Sequence, residues 1–522
     1  MRSETDRLDL VREVEELHKS LRMPGSGLIS EASEVSVHNG CAAYSGSIVE
    51  KLDGLPLTRI CLTDLRSADL RVITNGPNND RHPKFSPDGT QLAFLSDRAE
   101  HGVFQLFLIN LITGVEKAAP EIEGSIEYLH WSHSGDKILL GVAGRGAAVA
   151  GAQGATLSAD RNPVPDWVPE VHSRRTNAGR RRAWIFDLAK EEVDPVGPIS
   201  ENIWESGWCG TDHLVAIASP GNDESDWYKS RLLQIDLLSN QHRELYVPNA
   251  QIGWPSASPT GDKIAFVEAI SSDRWIVAGE LRLISLDAGS TIAADTGGMD
   301  VSCVEWISED RILIAGHRGL ESVVSKLEVN TSSLSEVWSS FDITSCGFHL
   351  TVAAADSNGA FAMVGEGFER SPELALVEDG RYTSIRSFDL GYRDYSCAIA
   401  QVDQIAWLAP DGLEIQGWLL RPAADGPYPL VMNIHGGPVW HSRPSWLGRS
   451  PSVLMLLKKG IAVFFPNARG SSGRGQDFAR AIVGEMGGKD TNDFLSGLDH
   501  IVAAGIADPE RIGVTGGSYG DT

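Results

Sequence analysis

The 522-residue sequence predicts a two-part chain: a β-propeller, seven-bladed by its repeat count, followed by part of an α/β domain with a mostly parallel sheet. Three observations predict it. A strand–turn–strand unit recurs seven times. After about residue 395 that unit stops, and apolar strand-like runs alternate with helical segments. The last of these runs enters Gly516-Gly517-Ser518-Tyr519-Gly520, a strand leading straight into a G-x-S-x-G turn.

At the start, Leu10, Val14, Leu17 and Leu21 fall at helical spacing with charged residues between them. Residues 1–26 therefore read as a docking helix with one packed face, ending before Pro24-Gly25. Residues 27–395 hold the repeat. Its clearest copy is Phe85-Ser86-Pro87-Asp88-Gly89-Thr90-Gln91-Leu92-Ala93-Phe94, in which Pro and Asp-Gly supply the turn between two strands. Related copies begin at Ser36, Trp131, Trp208, Ala257, Trp306 and Ala355. The spacing is 46 to 49 residues, apart from one interval of 77 after Trp131. A period of that length with several short strands per unit is a propeller signature, because a lone blade cannot bury both its faces. The long interval holds an insertion. It is Gly/Ala-rich over 141–155 and is followed by Arg174-Arg175 and Arg180-Arg181-Arg182. That basic cluster reads as a solvated loop or a partner for the chain's many acids, with a ligand site as the alternative.

Residues 396–522 change character. Runs 402–408 and 414–421 form a hairpin around Pro410-Asp411-Gly412. Runs 429–434 and 461–465 are continuously apolar, as in strands covered on both faces. Residues 492–504 read as a helix, with Asp490 as its N-cap and Asp493 in the first turn. Run 511–515 reads as a buried strand ahead of the G-x-S-x-G turn. A domain of this class needs roughly 200–250 residues, so about half of one is expected here.

Composition narrows the function. An apolar fraction of 42% with 22% charged residues is globular. A net charge of −25 argues against nucleic acid and anionic membranes as partners. There is no N-terminal apolar signal region and no run of about 18 apolar residues. Cys41, Cys61, Cys209, Cys303, Cys346 and Cys397 form no C-x-x-C pair, which suits reduced thiols in a cytoplasmic protein. No motif asks for a cofactor or a metal. Oligomeric state is open, a homo-oligomer included.

The chemistry lies in the second part. A strand-to-turn G-x-S-x-G lifts its serine clear of the sheet as a nucleophile, here Ser518. His435-Gly436-Gly437-Pro438 follows the 429–434 run, where adjacent glycines let backbone N–H groups point at a ligand oxygen. Gly437 and Tyr519 are the expected N–H donors of an oxyanion hole, in which one donor is worth about 3–4 kcal/mol. His435 is disfavoured as general base, because in this arrangement the base follows the serine. Gly470-Ser471-Ser472-Gly473-Arg474-Gly475 and Gly487-Gly488-Lys489-Asp490 look like phosphate loops but lack the required G-K-S/T, and read as turns at the sheet edge.

Four strings in order resemble the prolyl oligopeptidase family of serine peptidases: His435-Gly436-Gly437-Pro438, Asn467-Ala468-Arg469-Gly470-Ser471, Asp508-Pro509-Glu510-Arg511-Ile512, and Gly516-Gly517-Ser518-Tyr519-Gly520. The HGGP form is closest to its acylaminoacyl-peptidase and dipeptidyl-peptidase-like branch. The resemblance implies a propeller covering an α/β-hydrolase domain and an N-terminal helix docked on the latter. It implies attack by Ser518 on a peptide carbonyl with a histidine as base and an aspartate behind it, on short or N-terminally blocked peptides. Two features depart from the pattern. Asp521-Thr522 stand where the family has glycine and an aromatic residue, and no triad Asp or His follows Ser518. The expectation is a C-terminally truncated chain, 396–522 being the first half of the hydrolase domain, inactive in this form. An esterase on the same scaffold and a non-catalytic peptide-binding propeller are the alternatives.

Overall fold

The computed structural model describes residues 4–22, 27–51, 56–150, 155–156, 179–275, 277–389 and 398–521. Seven antiparallel sheets span 29–72, 80–118, 125–196, 202–246, 251–293, 300–340 and 344–387, one per blade, and the seventh has its first strand split in two. Every repeat unit read from the sequence is the turn between a blade's first two strands. Asn39-Gly40, for example, joins Ile29–His38 to Cys41–Ile48, and 86–90 joins Asp80–Phe85 to Gln91–Glu100. The Asp88 carboxylate holds its turn by accepting from the Ser86 hydroxyl (2.6 Å) and the Thr90 N–H (3.0 Å).

The first strands carry β-bulges, which leave an amide without a ladder partner. A glutamate of the preceding blade supplies one. The His82 N–H donates to Glu34 (2.8 Å), the Trp254 N–H to Glu205 (2.9 Å) and the Ala354 N–H to Glu305 (2.8 Å). Tryptophans add a second clasp: Trp131 Nε1–H donates to the Lys84 carbonyl and Trp208 Nε1–H to that of His130, each at 3.0 Å. Blades one and seven share no strand. The ring closes there by apolar packing of Ile29, Tyr44 and Cys61 against Val364, Leu374 and Phe388.

The long interval is an insertion into the third blade, between its second and third strands. Arg174 and Arg175 lie outside the described residues. Arg181 is buried and pairs bidentately with Glu127 (2.8 and 2.9 Å), and Arg180 donates to the carbonyls of Ser200 and Pro220. Here the basic cluster binds the chain itself. The five described cysteines are free, and Cys397 lies outside the described residues. Among the described residues no helix is long and apolar enough to cross a membrane.

The second domain is a five-stranded sheet of β1 (Ile399–Leu408), β2 (Glu414–Pro422), β3 (Tyr428–Ile434), β4 (Ala462–Asn467) and β5 (Ala507–Gly516), in the order β1-β2-β4-β3-β5. The hairpin is antiparallel, and β4, β3 and β5 run parallel. Helix α1 (Glu4–Arg22) docks on this domain, with Leu17 and Leu21 packed among Val453, Leu454 and Leu457 of α2 (Pro451–Lys458). Its packed face is shorter than the sequence spacing suggests, since Val14 is 37% exposed. The expected boundary at 395/396 falls outside the described residues.

Two expectations are corrected. Run 511–515 is not a buried strand. Among the described residues β5 pairs with β3 alone, so it is an edge, and Val514 is 59% exposed. Helix α3 (Lys489–Ala503) begins earlier than expected, with Gly488 at the N-cap. Asp490 therefore lies within its first turn, buried, rather than capping it.

Candidate active site

Strands β3 and β5 run side by side in register, Ile434 opposite Gly516. The His435-Gly436-Gly437 loop and the Ser518 turn thus leave the sheet at the same level, as expected for ligand sites at the carboxyl ends of parallel strands. Ser518 has φ +59°, a left-handed conformation that a residue with a side chain adopts at a cost of about 1–3 kcal/mol. A 3-10 turn over Ser518–Asp521 follows, with the Gly520 N–H donating to the Gly517 carbonyl at 3.0 Å. The flanking glycines are sterically required. A Cβ on Gly516 would lie 2.3 Å from the Gly520 carbonyl oxygen, and one on Gly520 would lie 2.3 Å from that of Ile434. Gly436 abuts the turn, its Cβ position being 3.4 Å from Ser518 Cβ, and Gly437 has φ +118°.

His435 faces away from this serine. Its Nε2 shares a hydrogen bond with Ser471 Oγ (2.9 Å), and its Nδ1 lies 2.7 Å from the Gly436 carbonyl oxygen. Burial pulls its pKa down to about 4, so it is neutral at pH 7. Among the described residues, no hydrogen bond to Ser518 Oγ from a histidine is present.

Arg469 ties the surroundings together. Its guanidinium donates to Asp493 (2.7 and 2.9 Å) and Asp411 (2.8 and 3.0 Å), and its backbone N–H donates to Asp493 (2.9 Å). The Asp508-Pro509-Glu510-Arg511 string lies in β5 where its register against β3 shifts, and Arg511 donates to Asp508 there (2.7 Å). The 470–475 loop is not a sheet-edge turn. It docks into the propeller, where the Gly473 and Gly475 N–H groups donate to Asp300 (2.6 and 3.2 Å) and the Gly319 N–H donates to the Gly473 carbonyl (2.6 Å). The phosphate-loop likeness has a physical basis, since the loop does cradle an anion, the Asp300 carboxylate.

The propeller also reaches the segment that follows His435-Gly436-Gly437. The Val439 N–H donates to Ser272 Oγ (3.2 Å), and Arg443 donates to the Phe348 carbonyl (2.8 Å). Nothing in the sequence marks Ser272, Asp300 or Phe348, because blade loops carry no motif. A separate cavity of about 420 Å³ lies at the seam of blade seven and β2, lined by Phe368, Arg370 and Trp418 among others, away from Ser518.

A propeller joined to a parallel sheet whose edge strand ends in a left-handed serine turn beside an HGG loop defines a serine hydrolase of the α/β class. Comparison with known proteins makes this particular. The prolyl oligopeptidase family matches over residues 449–521. The uncharacterized peptidase YuxL of Bacillus subtilis is 25% identical over 536 residues, covering 92% of this chain and 75% of that protein. Dipeptidyl aminopeptidase BIII of Pseudoxanthomonas mexicana is 40% identical over 97 residues, which span 19% of this chain and 14% of that one. The acylaminoacyl peptidase of Pyrococcus horikoshii superposes with a TM-score of 0.70 at 18% identity, over 94% of this chain and 74% of that structure, and so shares its fold. The chain thus resembles the prolyl oligopeptidase family of serine peptidases, by the family match over residues 449–521 and by its similarity to a peptidase over 92% of its length.

Proposed function

We propose that Ser518 is the acylated nucleophile of a peptidase acting on short or N-terminally blocked peptides, with the backbone N–H groups of Gly437 and Tyr519 receiving the oxyanion. One observation carries this reading: Ser518 is held at φ +59° between two glycines that tolerate no side chain, directly against the HGG loop. Strain of this kind persists where the surroundings impose it, as at a nucleophile elbow. Ser518 Oγ would attack the peptide carbonyl carbon and pass its proton to a histidine base, which would hand it to the amine as the C–N bond breaks, and water would then hydrolyse the remaining ester. The oxyanion donors would be backbone groups on the short loop and turn that follow the adjacent strands β3 and β5. The propeller would restrict access to small peptides, a reading supported by the bonds of Val439 to Ser272 and of Arg443 to Phe348.

Among the described residues no hydrogen bond joins a histidine to Ser518 Oγ, and the reading requires a histidine base and an orienting carboxylate there. The test is a fluorophosphonate probe with peptide mapping, applied to the native protein from its source. Labelling of Ser518 in the native protein, lost in Ser518→Ala, supports the reading. A native protein that binds peptides yet leaves Ser518 unlabelled would be the non-catalytic scaffold. Faster turnover of a p-nitrophenyl ester than of any blocked dipeptide amide would point to the esterase.

A further inference from the structure

The N-terminal part of α3 carries two buried carboxylates three residues apart, hence on one helix face: Asp490, 2% exposed, and Asp493, 0% exposed. Asp490 Oδ2 accepts from the Tyr519 phenol and from the Gly487 N–H (3.2 Å), and its Oδ1 accepts from the Thr491 N–H (3.0 Å). Asp493 holds Arg469 by its backbone and side chain. Two residues beyond Arg469, Ser471 bonds to His435, which adjoins Gly436 and Gly437. One helical turn thus connects to both candidate arms of the oxyanion hole.

We propose that Asp490 is a positioning residue for acyl transfer, which by gripping the Tyr519 phenol fixes the Ser518–Tyr519 peptide unit whose N–H is the oxyanion donor. The inference rests on the acyl-transfer reading of Ser518. Its physical content is preorganisation. A donor on a four-residue turn is useful only if the turn cannot swivel, and the phenol's bond to Asp490 adds a tether to the turn's own hydrogen bond, Gly520 to Gly517. Burial, and next the Asp490 carboxylate, push the Tyr519 phenol up from its ordinary value, so it remains a donor throughout the neutral range. Asp490 touches neither the serine nor the space above it, and so acts through Tyr519.

The experiment measures kcat and KM for an N-acetyl dipeptide p-nitroanilide, with Ser518 labelling rates, in the native protein carrying Tyr519→Phe, Asp490→Ala, both together, or Asp490→Asn. Each of the first two is expected to lower kcat about 10- to 100-fold with KM within twofold. The double variant is expected to be no worse than the single ones, because both remove the same bond. Asp490→Asn keeps an acceptor oxygen for the phenol and recovers most of the loss. If Asp490→Ala fails to fold, Tyr519→Phe, which deletes one oxygen atom, still decides. Unchanged kcat in Tyr519→Phe, or additive losses in the double variant, overturn the positioning role. If the parent protein itself leaves Ser518 unlabelled, the acyl-transfer reading falls, and Asp490's role with it.

Discussion

Arg469 is 5% exposed and fully charged, and two carboxylates keep it so. The hydrogen bonds to Asp493, then those to Asp411, raise its pKa above the ordinary arginine value. The two partners differ in consequence. Asp411 lies at the surface, where an ion pair is worth little, whereas Asp493 is wholly buried and receives three of its hydrogen bonds from this one residue. Arg469→Met keeps much of the volume and strands the Asp493 charge, so a loss of about 3–5 kcal/mol is expected in urea unfolding followed by tryptophan fluorescence. Asp411→Asn is expected to shift the same curve by less than about 1 kcal/mol. At this scale the sequence is legible where the chemistry is local. The glycines around Ser518 and the strand before them lie within a few residues, and their steric reasons are now visible. The Tyr519–Asp490 bond joins residues 29 apart, and no spacing rule reaches it. The bond of His435 to Ser471 is again a contact that only folding creates.

Among the elements, the blade repeat was legible through its turns, because Pro, Asp and Gly occupy positions that few other residues fill. The bulges were not, although their spacing preserves the period: Glu205 and Trp254, like Glu305 and Ala354, are 49 residues apart. A bulge is defined against its partner strand, and any residue can sit in one. The inter-blade carboxylates have a cost that can be measured. Burial pushes Glu205 up to about 7, with the Trp254 N–H opposing it, against 4.5 for a free side chain. A carboxyl group raised on folding holds its proton in the native state after the unfolded chain has lost it. Its contribution to stability therefore falls as pH rises from about 4.5 to about 7, and is level above that. Glu205→Gln keeps an acceptor for the Trp254 amide and cannot ionise. It is expected to flatten this part of the stability–pH curve and to raise stability at pH 8 by about 2 kcal/mol relative to the parent. Chemical unfolding at pH 5 and pH 8 checks it: a parent and variant with the same pH slope would mean the carboxylate is solvated.

For the molecule as a whole, the seam where the glycine-rich loop enters the propeller is a direct hydrogen-bonded link between the two domains. Asp300 is 3% exposed and supplies one carboxylate oxygen to two amides of the other domain. Burial pushes its pKa up to about 6, with the Gly473 and Gly475 N–H groups pulling the other way. The charge is thus held at a cost that the two amides only partly offset. Removing the oxygen is worse than keeping it. Asp300→Ala leaves the buried Gly473 N–H unpaired, at about 1–3 kcal/mol, and deprives the half-buried Gly475 N–H of its partner, a deficit relieved by letting the loop withdraw into water. Amide hydrogen exchange over 472–476 is therefore expected to quicken by about 10-fold or more in Asp300→Ala, while exchange in the innermost strands of the blades stays the same. Asp300→Asn retains a carbonyl oxygen for the amides without the buried charge, and its exchange is expected to stay near the parent's at pH 7. If the alanine variant leaves the loop as protected as before, the domains are held by the surrounding contacts, Ser272 with Val439 and Phe348 with Arg443, and the cradle is incidental to closure.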